Sequence, residues 1–103
     1  MVLVKGLKAE DRVANSLRRA GASVQQSPGS RGSADVIANW KSGKEWMTQV
    51  KYSGLGKPAG LSSRERQNLV SRAERNDATP ILAQVTPTKI EYTSAKTGRG
   101  LKP

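Results

Sequence analysis

The stretch from Ser30 to Tyr52 limits the possible folds of this chain more than any other part of the sequence. It contains two apolar runs, at 36–40 and 46–50, and both include β-branched or aromatic residues that favour strands. The sequence KSGK between them, at 41–44, is typical of a tight turn. The pattern therefore predicts a β-hairpin.

Three polar side chains are expected to meet at the open end of this hairpin. Gln49 and Lys51 are two positions apart, so they lie on the same face of the second strand. Asp35 begins the first strand and would lie across from the end of its antiparallel partner. A carboxylate and a side-chain carbonyl oxygen are ligands suited to Mg²⁺, and the adjacent lysine can orient or deprotonate a water molecule and stabilise charge developing on a phosphate. The pattern favours a site that cleaves phosphodiester bonds.

The order of these features resembles that of the PD-(D/E)xK nuclease superfamily, and within it the small archaeal Holliday-junction resolvases and their viral relatives. The similarity covers about residues 7–90. It comprises an acidic residue in the first helix, a loop rich in Gly and Ser at 27–33, the strand ADVIA at 34–38 and the triplet QVK at 49–51. The resemblance implies a DNA endonuclease acting on branched DNA.

The resemblance also implies roles for individual residues, carried over by position. Glu10, Asp35 and Gln49 would hold a Mg²⁺ ion, for which Mn²⁺ would substitute, and Lys51 would assist the attacking water. No small-molecule cofactor is expected.

Two positions leave the assignment open. Ser30 matches a loop serine or threonine that lies beside the site in the resolvases, but Ser27 and Ser33 are alternative matches. Gln49 stands where resolvases usually carry Glu, whereas a Q-x-K triplet occurs in Mrr-type restriction endonucleases. The alternatives are therefore a restriction- or repair-type endonuclease on duplex DNA, and a DNA-binding protein of the same fold without catalysis.

Composition restricts both the chemistry and the partner. The 103 residues include no cysteine or histidine, which excludes disulfides, thiol catalysis, zinc sites and histidine bases. Eighteen Lys and Arg against eight Asp and Glu give a net charge of +10, typical of a nucleic-acid binder, although a basic ribonucleoprotein component without any site would share it.

No run is long enough to span a membrane and no signal peptide is evident, so we expect a cytoplasmic protein, in the host cytoplasm if the source is viral. The small apolar share of 35% favours a homodimer.

Positive side chains outside the hairpin are the expected DNA contacts. Arg31 lies in the Gly/Ser loop and Lys57 in the Gly/Pro-rich loop after the hairpin. Arg64, Arg66 and Arg72 form basic rows on a helix with few apolar positions.

The remaining periodicities complete the predicted fold. Helices are expected at 7–20, ending at Gly21, and from a capping box at Ser62 and Glu65 to about Asn76. The order α-β-β-β-α-β-β predicts a single restriction-endonuclease-like α/β domain with a mixed central sheet of about five strands flanked by helices. We expect this nuclease-like domain to cover 1–93, with short strands at 22–26 and 81–85, an edge strand at 89–93 and a flexible basic tail at 94–103.

Overall fold

A computed structural model describes residues 9–26, 34–54 and 60–103 of the chain. In these residues two helices flank a six-stranded sheet whose strands are ordered as they occur in the sequence. The predicted mixed α/β domain is confirmed, with six strands rather than about five. The helices are α1 (Ala9–Arg19) and α2 (Ser63–Arg75), and the strands are β1 (Ser23–Gln26), β2 (Val36–Asn39), β3 (Glu45–Tyr52), β4 (Thr79–Val85), β5 (Ile90–Ser94) and β6 (Gly100–Leu101).

The β2–β3 hairpin confirms the prediction made from the two apolar runs. Val36 pairs with Thr48 and Asn39 with Glu45, in antiparallel register. Gly43 in the turn has a φ of 98°, a conformation that glycine adopts without steric cost. The strand carrying Gln49 and Lys51 is therefore fixed against the strand that Asp35 precedes.

The β3–β4 pair is the parallel pair of this sheet, and α2 is its crossover connection. Parallel neighbours require such a crossover, because the chain must return to the same end of the sheet before the next strand begins. The helix runs back along the sheet, so its first turn lies beside the carboxyl end of β3. This topology sets the N-terminus of α2 next to the QVK triplet.

The two helices cover opposite faces of the sheet. Val13 and Leu17 of α1 belong to a buried cluster with Trp46, whereas Leu69 of α2 packs in a second cluster with Met47. Because side chains alternate along a strand, the odd-numbered positions of β3 face α2. The polar end of β3 is therefore on the α2 side of the sheet.

The C-terminal end of α1 and the N-terminal end of α2 have the capping residues that the sequence predicts. Gly21 follows α1 with a φ of 98°, and the Ala22 N–H donates to the Leu17 carbonyl at 3.1 Å. At the start of α2, the Ser62 hydroxyl accepts from the Glu65 N–H at 3.1 Å, and the Ser62 N–H donates to Glu65 Oε1 at 2.9 Å. The capping box thus fixes both the helix end and the orientation of the Glu65 carboxylate.

The structure differs from the prediction of a flexible tail at 94–103. Strand β6 pairs with β5, and the Ser94 N–H donates to the Arg99 carbonyl at 2.8 Å. Ala95 is buried in the cluster under α2. The strand predicted at the sheet edge, 89–93, is therefore an interior strand, because the segment that follows it pairs with it through backbone hydrogen bonds and packs Ala95 and Leu101 against the two core clusters. None of the helices in the described part of the chain is long and apolar enough to cross a membrane.

Candidate active site

Asp35 lies at the start of β2 with only 6% of its surface exposed. Its backbone N–H donates to the Thr48 carbonyl at 2.8 Å, which extends the hairpin by one residue beyond β2. Its side-chain Oδ2 accepts a hydrogen bond from the Val50 N–H, also at 2.8 Å. Two backbone contacts thus fix the carboxylate against the end of β3.

Burial and two charged side chains determine the ionisation of Asp35. Burial raises the pKa of its carboxyl above the ordinary value, while the Val50 N–H and the Lys51 ammonium lower it and the Glu65 carboxylate raises it. The net direction is upward. Ionised Asp35 is therefore a charge that a bound cation would stabilise further.

Lys51 lies on the α2 side of the sheet, where it forms an ion pair with the helix. Its Nζ lies 2.7 Å from Glu65 Oε2. This hydrogen bond from Lys51, together with the one from the Ser62 N–H, lowers the pKa of the Glu65 carboxyl. The lysine ammonium is thus held between β3 and the first turn of α2.

Gln49 is half-buried on β3, on the same face as Lys51. Asp35 immediately precedes the Val36–Thr48 pair, which places it beside Gln49 at the open end of the hairpin. The structure therefore brings together the carboxylate, the amide and the ammonium that the hairpin pattern predicted to meet.

Glu10 is half-buried in the first turn of α1, the helix that covers the opposite face of the sheet. The neighbouring Asp11 accepts a hydrogen bond from the Gln26 side chain at 2.9 Å, and Gln26 pairs with Val36. The start of α1 is therefore close to the start of β2. Glu10 would approach Asp35 around this end of the sheet, and its metal-binding role stays a prediction.

The predicted DNA contacts divide into two groups. The loop residues fall outside the described ranges. Arg64 and Arg66 are exposed on α2, and Arg72 is half-buried. The Arg66 guanidinium also donates to the Ala95 carbonyl at 3.3 Å, so it attaches the segment after β5 to the helix. The DNA contacts predicted in the loops are Arg31 and Lys57. The alternative matches for the serine beside the site also lie outside the described ranges: Ser27, Ser30 and Ser33.

The oxygen donors at this site suit a hard divalent cation that keeps most of its own waters. Among the described residues, no three acidic side chains lie close enough to hold a metal together. Asp35 supplies a buried carboxylate whose Oδ2 is oriented by the Val50 N–H. Mg²⁺ usually keeps several waters and is bound through one or two carboxylates, so Asp35 with the Gln49 carbonyl oxygen is a chemically suitable pair.

Glu65 is a residue near the site that the sequence analysis assigned only to a helix cap. The signal that identifies it is topological: a crossover helix between parallel strands begins beside the carboxyl end of the first strand. An acid in the first turn of α2 is therefore within reach of a lysine at the end of β3.

Comparison with known proteins identifies the fold. No protein-family model matches the sequence, and no match was found among curated proteins. Among solved structures, the chain is similar to Hjc of Archaeoglobus fulgidus, a Holliday junction resolvase from an archaeal hyperthermophile, with a TM-score of 0.74 and 22% sequence identity. The match covers 88% of this chain and 80% of that chain. The resemblance predicted from the sequence is confirmed at the level of the fold: this chain has the α/β fold of an archaeal Holliday junction resolvase.

Proposed function

We propose that this protein is a metal-dependent DNA endonuclease that hydrolyses phosphodiester bonds in branched DNA. The observation that carries the proposal is the buried Asp35 carboxylate beside the end of β3, where Lys51 carries a positive charge on the same side of the sheet. The fold shared with a Holliday junction resolvase supports it, as does the net charge of +10, which suits a polyanionic substrate. A DNA substrate is in keeping with a cytoplasmic protein.

Each residue of the proposed site has a distinct task. Asp35 and Gln49 would hold Mg²⁺ or Mn²⁺, with Glu10 as a further ligand. When bound, the ion neutralises phosphate charge and lowers the pKa of a water molecule. The Lys51 ammonium stabilises the negative charge on the phosphate oxygens while the water oxygen bonds to phosphorus and the bond to the leaving oxygen breaks. The attacking water would release its proton to solvent, and the leaving oxygen would take one from solvent. The Val50 N–H keeps the Asp35 carboxylate in one orientation throughout.

The surface around the site would bind the DNA backbone. Arg64 and Arg72 on α2 are proposed phosphate contacts, and Arg66 would contribute while also holding the Ala95 carbonyl. Arg31 and Lys57 are proposed contacts from the two loops, with Ser30 beside the site. A homodimer would present two such sites, one for each of the two strands cut in a branched substrate.

Cleavage assays with substrates of different shape test the proposal. Purified protein is incubated with a four-way junction, a duplex and a single strand of the same sequence, each with Mg²⁺, Mn²⁺ or EDTA. We expect cleavage of the junction with either metal and none with EDTA. Equal cutting of the duplex would instead favour a restriction- or repair-type enzyme. Binding without cleavage would identify a non-catalytic DNA-binding protein, an alternative that the missing acid at Gln49 favours.

Two variants and one control locate the site. Asp35→Asn and Lys51→Ala should each abolish cleavage but leave DNA affinity nearly unchanged, because many Lys and Arg side chains share the binding. Lys41→Ala removes a lysine from the turn of the same hairpin, at the end remote from Asp35, and should cut normally. Wild-type cleavage by either site variant would show that the site is wrongly assigned.

A further inference from the structure

The contact between Lys51 and Glu65 uses both oxygens of the glutamate. Oε2 accepts from the Lys51 ammonium at 2.7 Å, and Oε1 accepts from the Ser62 N–H at 2.9 Å. The capping box therefore prevents the carboxylate from rotating, and the helix end fixes the point to which the lysine is bound. A flexible four-carbon side chain is thereby restricted to one position.

The ion pair contributes little to stability. The side chains of Lys51 and Glu65 are 27% and 37% exposed, and pairs as accessible as this are usually worth little because water screens them. The position of the pair is more informative than its strength, since the charges of both residues act on the Asp35 carboxylate. An acid that lies this close to the site without a clear stabilising effect suggests a role in the reaction.

We infer that Glu65 is a positioning residue that holds the Lys51 ammonium beside the phosphate site and away from direct pairing with Asp35. The inference rests on the proposed nuclease function. Lys51 has two possible carboxylate partners, Asp35 and Glu65. If it paired with Asp35, it would occupy the carboxylate proposed to bind the metal. Glu65 provides the competing partner, and both of its oxygens accept hydrogen bonds from the protein.

The variant Glu65→Gln separates this role from helix capping. Glutamine also serves in a capping box, so its carbonyl oxygen keeps the bond from the Ser62 N–H. Its amide NH₂ then faces the Lys51 ammonium, donor against donor, and the lysine is released. Glu74→Gln is the matched control, because Glu74 lies on the same helix and forms a similar ion pair with Lys96 at 2.9 Å, at the opposite end of α2.

The measurement is the single-turnover cleavage rate at saturating junction DNA and saturating Mg²⁺, together with DNA affinity and melting temperature. For Glu65→Gln we expect a rate about ten-fold lower, comparable to the difference between a charge-assisted and a neutral hydrogen bond. The DNA affinity and the melting temperature should both match the wild type. If Glu65 had only a structural role, its replacement would instead lower the melting temperature. Glu74→Gln should match the wild type in all three measurements.

Several results would overturn the inference. One is a Glu65→Gln variant that cuts at the wild-type rate; another is a slower rate that is fully explained by a lower melting temperature. A third is a defect that disappears at high Mg²⁺, because Glu65 would then act on the metal and not on Lys51.

An NMR comparison of the Lys51 side-chain resonances in the wild type and in Glu65→Gln reports the ion pair without any cleavage, and identical resonances in the two proteins would show that the pair does not form. Wild-type protein that cuts no DNA would instead overturn the proposed function, and the positioning role with it. The two failures are therefore distinguishable.

Discussion

Replacing Thr48 by valine should stabilise the strand that carries the site. Thr48 is fully buried, and its hydroxyl has no hydrogen-bond partner within residues 9–26, 34–54 and 60–103. An unpaired buried hydroxyl costs about 1–3 kcal/mol relative to a paired one, and valine has the same shape with a methyl group in its place. The backbone carbonyl of residue 48 still accepts the Asp35 N–H, so the site geometry is preserved.

We expect Thr48→Val to raise the free energy of unfolding by about 1 kcal/mol, the lower end of that range, because threonine is also well accommodated in strands. In a domain of this size, this corresponds to about 4–8 °C in Tm. Thermal and urea unfolding of the variant and the wild type at neutral pH measure it. An unchanged or lower stability would refute the reasoning, since it would mean that the hydroxyl is hydrogen-bonded in the folded protein.

Four further predictions concern hydroxyl bonding, ionisation, metal binding and DNA binding. Tyr92→Phe removes a hydroxyl that donates to Ser16 Oγ at 2.9 Å, so it should lower the free energy of unfolding by about 1 kcal/mol, opposite in sign to the Thr48 variant. Burial raises the pKa of Asp35 above 3.8, so this carboxyl contributes stability that is present below its unfolded pKa and is lost as pH rises through its folded pKa. Asp35→Asn should therefore raise Tm at pH 7 but not at pH 3, as calorimetry at both pH values would measure. Gln49→Glu should lower the Mg²⁺ concentration for half-maximal cleavage, because a carboxylate contributes a charge where an amide contributes a dipole. Gln49→Leu has no ligand atom and should inactivate the protein. Superimposable Mg²⁺ titrations of the three proteins would remove Gln49 from the site. Binding to duplex DNA should weaken steeply with salt, by a log-log slope of about 0.9 per neutralised phosphate, and a nearly flat response would exclude an electrostatic interface.

The hairpin and the face shared by Gln49 and Lys51 could be predicted because both depend on local sequence. Period-two alternation and a four-residue turn determine which side chains lie together, whatever packs against them. The Glu65 cap was predictable for the same reason. Its contact with Lys51 was not, because that contact depends on where the crossover helix begins in space.

Two other features depend on tertiary packing. The apolar stripe of α1 predicts that Val13 and Leu17 are buried, but a stripe does not specify which face of the sheet it covers. Helix α1 packs on the face of the sheet opposite Lys51. The sheet therefore lies between Glu10 and the site, and the two approach each other only around the end of the sheet where β2 begins. Strand β6 was missed because it is only two residues long, and its one apolar side chain, Leu101, packs on the core without making a periodic pattern in the sequence.

The aromatic cluster on the hairpin gives the protein a built-in optical probe. Both tryptophans of the chain, Trp40 and Trp46, lie on this hairpin, with their ring centroids 5.3 Å apart in an edge-to-face arrangement at 68°. The Tyr92 ring of β5 lies 5.6 Å from the Trp46 ring in a tilted arrangement, and the Lys44 ammonium lies 4.3 Å from the Trp40 ring. All tryptophan fluorescence therefore originates from the hairpin that carries Gln49 and Lys51, so emission during unfolding reports when this element separates from β5 and becomes hydrated.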